Sequence, residues 1–444
     1  MGAGSGRCFR DHLKELENAG LLLRVKKEVD PAYEMAALIK KATKINKAIL
    51  FENVKGKKHS VAANVAGSRR MLSNALSLDE KSFLEDLAKR STNNRGVKMM
   101  QNAPVQQVVS DQSAITEIPM LTHFERDAGK YITAGTVIAR DPDSGFRNSS
   151  FNRMMLRADS RLGIRMMPPQ HLGVIQGKSE AKKKNLEVAV VLGNHPAEMV
   201  ASASLLPFGK DHLDFASALR GMSLEVVKCK TVDLEVPANA EIVIEGEIEA
   251  SVKEDEGPFG EFMDYYVEQN KNNVLKIRAI THRSDYIYQA LLCGSMEDLG
   301  ILALARELLL FNALKNAGYD VRDVSLMPFL FNGLISLKKK FEGEPKNAMM
   351  TAFGAYSWLK YCVVVDDDVD VLDLADVWWA LGTRSQPEKG VLSVSDALGF
   401  PRKDKSAIHR GKMGIDATVP LEMKKEFERK KIPGEEGVDL SDYV

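Results

Sequence analysis

The spacing of apolar residues near the start of the chain predicts a helix, because Phe9, Leu13 and Leu16 recur at helical intervals and Gly20 is placed to end it in a left-handed conformation. LLLRVKKEVD (21–30) then predicts a strand. Asp30 followed by Pro31 predicts an N-cap with proline at the first helical position, opening a helix to about Ala42, and AILFENV (48–54) predicts a further strand. This alternation implies a small α/β unit. The stretch from Ser91 to Pro104 is polar and without period, which marks a boundary or a surface loop.

From about Ile115 to Ala290 short strands dominate, among them YITAGTVIARD, LEVAVVLG, AEIVIEGEIEAS and VLKIRAITHR. In the third of these Ile242, Ile244, Ile248 and Ala250 fall on one face and Glu241, Glu245, Glu247 and Glu249 on the other, the alternation of a half-buried strand. A mostly antiparallel sheet or barrel is expected. Ser295 and Asp298 have capping-box spacing ahead of a strongly apolar helix from Glu297 to Asn316 that stops at Gly318 and is read as a bridge between domains. The rest alternates again: YCVVVDDD predicts a fully buried strand, and a tryptophan-rich helix follows around Ala375 to Leu381. The final charged segment is expected to wrap over a surface or a partner subunit. The pattern therefore divides the chain into an N-terminal α/β domain (1–105), a central strand-rich domain (106–294), a linking helix (295–318) and a C-terminal α/β domain with an extended tail (319–444).

Composition narrows the function classes. Lysine plus arginine equals aspartate plus glutamate at 61 each, so no net field would hold the chain on nucleic acid or an anionic membrane. The 4 cysteines, Cys8, Cys229, Cys293 and Cys362, form no CxxC pair, which argues against a disulfide framework and a structural zinc site. The absence of a long apolar run, and a start (MGAGSGRCFRDHLKEL) without the apolar core of a signal peptide, give a cytoplasmic expectation.

Three clusters carry candidate chemistry. Glu256-Gly-Pro-Phe-Gly-Glu261 is a tight apolar turn with a carboxylate at each end, able to divide into proton donor and ionised partner if the surroundings separate them, or equally a solvated turn. In Asn148-Ser-Ser-Phe-Asn-Arg153 and Pro169-Gln170-His171, the amide and imidazole are candidate ligands for manganese or magnesium, and Arg153 can hold a carboxylate in bidentate fashion; an edge strand with one structural histidine is the alternative. Asp366-Asp367-Asp368-Val369-Asp370 lacks the glycine and distal glutamate of a calcium loop and is read as a solvated strand end that also caps the next helix. The glycines at 2, 4 and 6 follow no strand and are not a dinucleotide fingerprint. Serine-hydrolase elbow, zinc-protease and P-loop motifs are absent from the sequence.

Taken in order and spacing, YITAG (131–135), NSSFNR (148–153), PPQHL (168–172), LEVVKC (224–229), VPANAEIVIEGEIE (236–249) and EGPFGE (256–261) resemble the UbiD family, and the resemblance runs on through VVVDDDVD, DVWWALGTR and GIDAT. It implies an N-terminal α/β domain, a central flavin-reductase-like split β-barrel and a C-terminal α/β domain used in oligomerisation, as homodimer or homohexamer. It implies a decarboxylase acting on an α,β-unsaturated, aromatic or heteroaromatic carboxylic acid with prenylated FMN, which a flavin prenyltransferase would supply, and a divalent ion, manganese before magnesium, with potassium as a candidate further ion. By position, Glu256, Glu261 and Arg153 match a Glu-Arg-Glu network in which Glu261 delivers the proton and Arg153 orients the substrate carboxylate. Asn148 and His171 match two ion ligands, while His212 stands where the family has glutamate, leaving His212 and the neighbouring Asp211 as alternative third ligands. Thr133, Ser150, Gln170, Ser202, Ser204 and Lys360 match positions around the cofactor. A flavin-binding oxidoreductase and a non-catalytic flavin carrier are the competing readings; the two glutamates with Arg153 disfavour the carrier.

Overall fold

The computed structural model describes residues 8–167, 170–400, 410–434, 437, 438 and 443. The glycines at 2, 4 and 6, the two prolines of PPQHL and parts of the charged tail lie outside these residues. The described chain forms two compact units, one of residues up to Phe311 with Leu326–Leu330, the other of Asn312–Ser325 with the residues from Phe331 onward.

In the first unit the helix Phe9–Asn18 forms as its apolar spacing predicts, burying Phe9, Leu13 and Leu16, and Gly20 follows it at φ 68°. The next helix begins later than Asp30-Pro31 implies, at Glu34, and runs to Lys44. Asp30 is instead the head of a turn: its carboxylate accepts from Ala32 N at 2.9 Å and pairs with Lys55 at 2.9 Å. A four-stranded sheet lines up Leu22–Val25, Ala48–Phe51, Val61–Ala63 and Tyr288–Ala290, so its last strand comes from far along the chain. The polar stretch after Ser91 is not all loop, for Val97–Met99 pairs in parallel with Leu224–Lys228.

The centre of this unit is a nine-stranded antiparallel sheet. Along its path run Tyr131–Ile132, Met154–Leu156, Leu162–Ile164, Asn270–His282, Ile242–Glu256, Leu186–Leu192, Thr136–Arg140 and Arg147–Phe151, with Val108–Ser110 attached to Asn270–His282. The path is open at Tyr131–Ile132 and at Arg147–Phe151. Ile242, Ile244 and Ile248 enter a core with Val137, Val188, Val190 and Leu192, each such buried side chain contributing roughly 1.5–3 kcal/mol relative to exposure. The opposite face is solvated only in part: Glu247 and Glu249 keep some exposure, whereas Glu241 and Glu245 do not. Glu241 is fully buried against Arg10 and Arg283, and Glu245 is fully buried where it accepts from Lys230 N, Thr231 N and the Thr231 hydroxyl. Other segments cover that face, and their donors satisfy the glutamates.

The helix Met296–Asn316 carries the chain from one unit to the other. At its start the Ser295 hydroxyl accepts from Asp298 N, while the Asp298 carboxylate accepts from Gly294 N at 2.8 Å.

The second unit is a five-stranded mixed sheet in the order Val321–Ser325, Asn332–Leu337, Tyr361–Asp366, Lys412–Ala417, Val391–Val394, with helices Glu344–Ala355 and Leu374–Arg384. The acid cluster at the end of Tyr361–Asp366 is structural. Asp366 and Asp368 bind Arg384 at 3.0 and 2.7 Å, and the cap of the next helix is Asp373, which accepts from Ala375 N.

Candidate active site

Arg153 lies between the strands Arg147–Phe151 and Met154–Leu156, Glu256 ends the strand Ile242–Glu256, and Glu261 follows the short strand Phe259–Gly260. These three residues meet. Arg153 donates from Nε and Nη2 to the two oxygens of Glu256 at 3.0 and 2.9 Å, and from Nη1 to Glu261 Oε1. Asn272 Nδ2 adds a bond to Glu256 at 2.7 Å. The Arg153 guanidinium also lies 4.7 Å from the ring centre of Phe259. Glu256 is 0% exposed and the Arg153 side chain 8%, so this is a desolvated pair made tolerable by its bidentate geometry and the extra amide. Burial works to lower the Arg153 proton affinity, but its bonds to Glu256 and the nearby Glu261 outweigh it and keep the guanidinium firmly charged.

A second guanidinium, Arg165, donates from Nη1 to the same Glu261 oxygen at 2.9 Å. Burial, then repulsion from Arg153, lowers its proton affinity. Nothing in its sequence context distinguishes Arg165 from a surface arginine. Asp127 fixes the loop that carries Glu261 by accepting from Gly260 N at 2.9 Å, and a side chain at Gly260 would meet the Phe124 ring at 2.4 Å. The loop is thus held close against its neighbours. On the other side of Glu261, burial pushes the Asp298 carboxyl up to about 6 and holds the Cys293 thiol neutral, each also feeling the negative charge of Glu261.

The strand Arg147–Phe151 packs against three helices, His171–Ala181, Pro196–Ala203 and His212–Arg220, and gathers most of the remaining candidates. Asn148 is buried and its Nδ2 donates to the Ser150 hydroxyl at 3.3 Å; Ser149, which the motif reading passed over, bonds Ser202 at 2.8 Å. His171 and His212 face each other with ring centres 6.2 Å apart. His212 is buried, its Nδ1 has no hydrogen-bond partner among the described residues, and burial pulls it down to about 4, so the ring is neutral at physiological pH. Asp211 is occupied: it caps the helix His212–Arg220 by accepting from Leu213 N and Asp214 N and pairs with Arg147 at 2.6 Å. Among the described residues no group of three or more His, Cys, Asp or Glu side chains is arranged around a metal position.

Other candidates are placed less pointedly. Thr133 donates to Leu291 O at 2.6 Å, Ser204 bonds back to Val200 O, and Gln170 is the exposed residue before the helix His171–Ala181. Lys360 lies in the second unit, where its N–H donates to Phe331 O.

With this geometry in hand, similarity to known proteins gains meaning. Three family domains match in succession: the 3-octaprenyl-4-hydroxybenzoate carboxy-lyase N-terminal domain (residues 13–91), the Rift-related domain (97–296) and the C-terminal domain (300–417). An anhydromevalonate phosphate decarboxylase of Methanosarcina mazei is 34% identical over 432 residues, covering 96% of this chain and 100% of that relative. A phenolic acid decarboxylase of Bacillus subtilis is 31% identical, covering 93% and 92%. Among solved structures, the UbiD-class enzyme HmfF from Pelotomaculum thermopropionicum in complex with FMN superposes with a TM-score of 0.93 at 42% identity, covering 98% of this chain and 100% of that one. An evolved dimeric form of HmfF in complex with prFMN gives 0.90 at 40% identity, covering 99% and 100%. Matched from residue 13 to residue 417 by the successive domains of one family, and over nearly its whole length by named decarboxylases, the chain belongs to the UbiD family and is a carboxy-lyase of three-domain, mixed α/β architecture.

Proposed function

We propose that this decarboxylase uses prenylated FMN to remove carbon dioxide, reversibly and without net oxidation, from an α,β-unsaturated, aromatic or heteroaromatic carboxylic acid. The observation that carries the reading is the sharing of one guanidinium, Arg153, between a fully buried glutamate and a second glutamate, Glu261, on a braced loop. Such an arrangement gives the two carboxyl groups different tasks. Glu256 is held on both oxygens by Arg153, and Glu261, on the braced loop, is assigned the proton that the product carbon receives. When bound, the prenylated flavin supplies an electron sink for the pair left behind by carbon dioxide. The protein's part is to orient the acid, exclude water and place the Glu261 proton at the carbon.

The cofactor phosphate and its ion are assigned to Asn148, His171 and His212. Two imidazoles and an amide form a neutral donor set, and the buried, unpartnered Nδ1 of His212 fits a divalent ion that accepts nitrogen, manganese better than magnesium. Asp211 is disfavoured as the third ligand because its oxygens already serve a helix cap and Arg147. His212→Ala is accordingly expected to lower the retention of both metal and flavin, read by metal analysis and flavin absorbance on the purified protein; unchanged metal content would remove His212 from the ligand set. Thr133, Ser150, Gln170, Ser202 and Ser204 complete the proposed cofactor surroundings in the first unit; Lys360 is proposed as a cofactor contact on the family resemblance alone.

No helix among the described residues is long and apolar enough to cross a membrane. We place the enzyme in the cytoplasm as a homo-oligomer, supplied with cofactor by a flavin prenyltransferase. The deciding experiment is co-expression with such a prenyltransferase, purification without oxygen, and a screen of 4-hydroxybenzoate, 2-furoate, pyrrole-2-carboxylate and cinnamate for carbon dioxide release. A flavin-loaded protein that releases none while reducing or oxidising the flavin would favour an oxidoreductase.

A further inference from the structure

Arg153 and Arg165 differ in what they have left to give. All three nitrogens of Arg153 are committed, to Glu256 and Glu261, and its side chain is buried under Phe259. Arg165 has one bond to Glu261 and one weak contact to the Met167 sulfur at 3.6 Å; its side chain is 31% exposed, and its other N–H groups have no partner among the described residues. A guanidinium offers five N–H donors in a planar fork that suits a carboxylate. The free fork beside Glu261 therefore belongs to Arg165.

Resting on the decarboxylase reading, we propose that Arg165 anchors the substrate carboxylate, giving up Glu261 to do so, and that the proton used at Glu261 enters with the substrate. The charges require this coupling. Arg153 and Arg165 face Glu256 and Glu261, with Asp127 and Asp298 close by, so an incoming carboxylate adds a further negative charge to a partly buried site already rich in carboxyls. Uptake of one proton offsets the charge that the substrate brings. Glu256 stays held on both oxygens by Arg153 and by Asn272, so Glu261, losing its bond to Arg165, is where that proton resides. The stoichiometry closes: an acid anion and one proton enter, the carbon–carboxylate bond breaks, carbon dioxide leaves, and the Glu261 proton forms the new carbon–hydrogen bond. The Glu261 carboxylate then returns to its bond with Arg165. Four other titratable groups lie around this network: Asp298 and Cys293 near Glu261, Asp127 on the N–H of Gly260, and Tyr131 near Glu256 and Arg153; burial holds the Cys293 thiol and the Tyr131 phenol neutral and raises both aspartates, Asp298 to about 6, below the range in which the coupling is read.

The test uses prenylated-flavin-loaded enzyme and whichever acid of the four-member panel the wild type decarboxylates fastest. Losing a charge-assisted bond to the carboxylate should raise KM in Arg165→Gln by about tenfold or more, with kcat reduced less, and Arg165→Lys should recover part of it. Above neutral pH the wild-type KM should rise by about tenfold per pH unit, as one proton must accompany the acid, and this slope should vanish in Arg165→Gln. A residue that merely braced Glu261 would lower kcat and leave KM and its slope alone. That outcome, or an unchanged KM in both variants with flavin absorbance and melting temperature intact, overturns the anchor. If Arg165→Gln fails to fold, Arg165→Lys alone decides, since any anchor role must raise its KM. Failure of the flavin-loaded wild type on every acid overturns the proposed substrate reading, and the anchor that rests on it.

Discussion

Replacing Glu261 by glutamine is expected to abolish carbon dioxide release and product-proton exchange while leaving flavin bound. Glutamine keeps the length of the side chain and an oxygen that can accept from Arg153 and Arg165, so the loop held by Asp127 should stay in place. What it cannot do is hold and deliver a proton. Removing a positioned general acid costs about a hundredfold to ten-thousandfold in rate, which places the variant at or below the detection limit of a carbon dioxide assay. Flavin absorbance and metal content should match the wild type, because the proposed ion and phosphate ligands lie on other elements. Exchange of solvent deuterium into the product is the more sensitive check. Turnover or exchange at the wild-type rate in this variant would remove Glu261 as the proton donor.

How much of this site could be read beforehand depended on distance along the chain. Local features were legible: the amphipathic spacing of Phe9, Leu13 and Leu16 produced a helix, and the alternating isoleucines of Ile242–Glu256 produced a strand in an antiparallel sheet. Long-range coverage was not. The glutamates of that strand look solvent-facing by period, yet Arg10 and the residues around Thr231 bury Glu241 and Glu245, and nothing near either glutamate announces those partners. Similarly Tyr288–Ala290 leaves its sequence neighbours to complete the N-terminal sheet. Arg153 and Glu256 are 103 positions apart, so spacing alone could not join them; the resemblance to a family did, and the folded chain brings them within hydrogen-bonding distance. Arg165 had no motif to mark it. Its free donors stand out only in the folded chain, where those of Arg153 are engaged by Glu256 and Glu261.

The largest loss of stability is expected at a residue outside this chemistry. Glu297, in the first turn of the helix Met296–Asn316, is 1% exposed and accepts from the backbone N–H groups of Asn64, Val65 and Ala66 at 2.7, 2.8 and 3.1 Å. It thereby ties the helix to the turn that follows Val61–Ala63, where Asn64 holds a left-handed φ of 56°. Glu297→Ala leaves three buried donors without an acceptor, and at about 1–3 kcal/mol for each such group the variant should lose on the order of 3 kcal/mol or more. The loss should depend on pH in a definite direction. Burial pushes the Glu297 carboxyl up from 4.5 to about 7 against the opposing pull of the three N–H groups. A carboxyl raised in the folded state binds its proton more tightly there than in the unfolded chain, so its contribution is fully present below about 4.5 and is lost as pH rises through about 7. At about 1.4 kcal/mol per unit, the gap between wild type and Glu297→Ala should narrow by roughly 2–3 kcal/mol between pH 5 and pH 8. Urea midpoints at the two pH values measure it directly. The charge of the neighbouring Asp298 adds to the rise at Glu297, so a gap that stays constant or widens toward alkaline pH would show that the three N–H bonds, and not burial with that repulsion, dominate at this carboxyl.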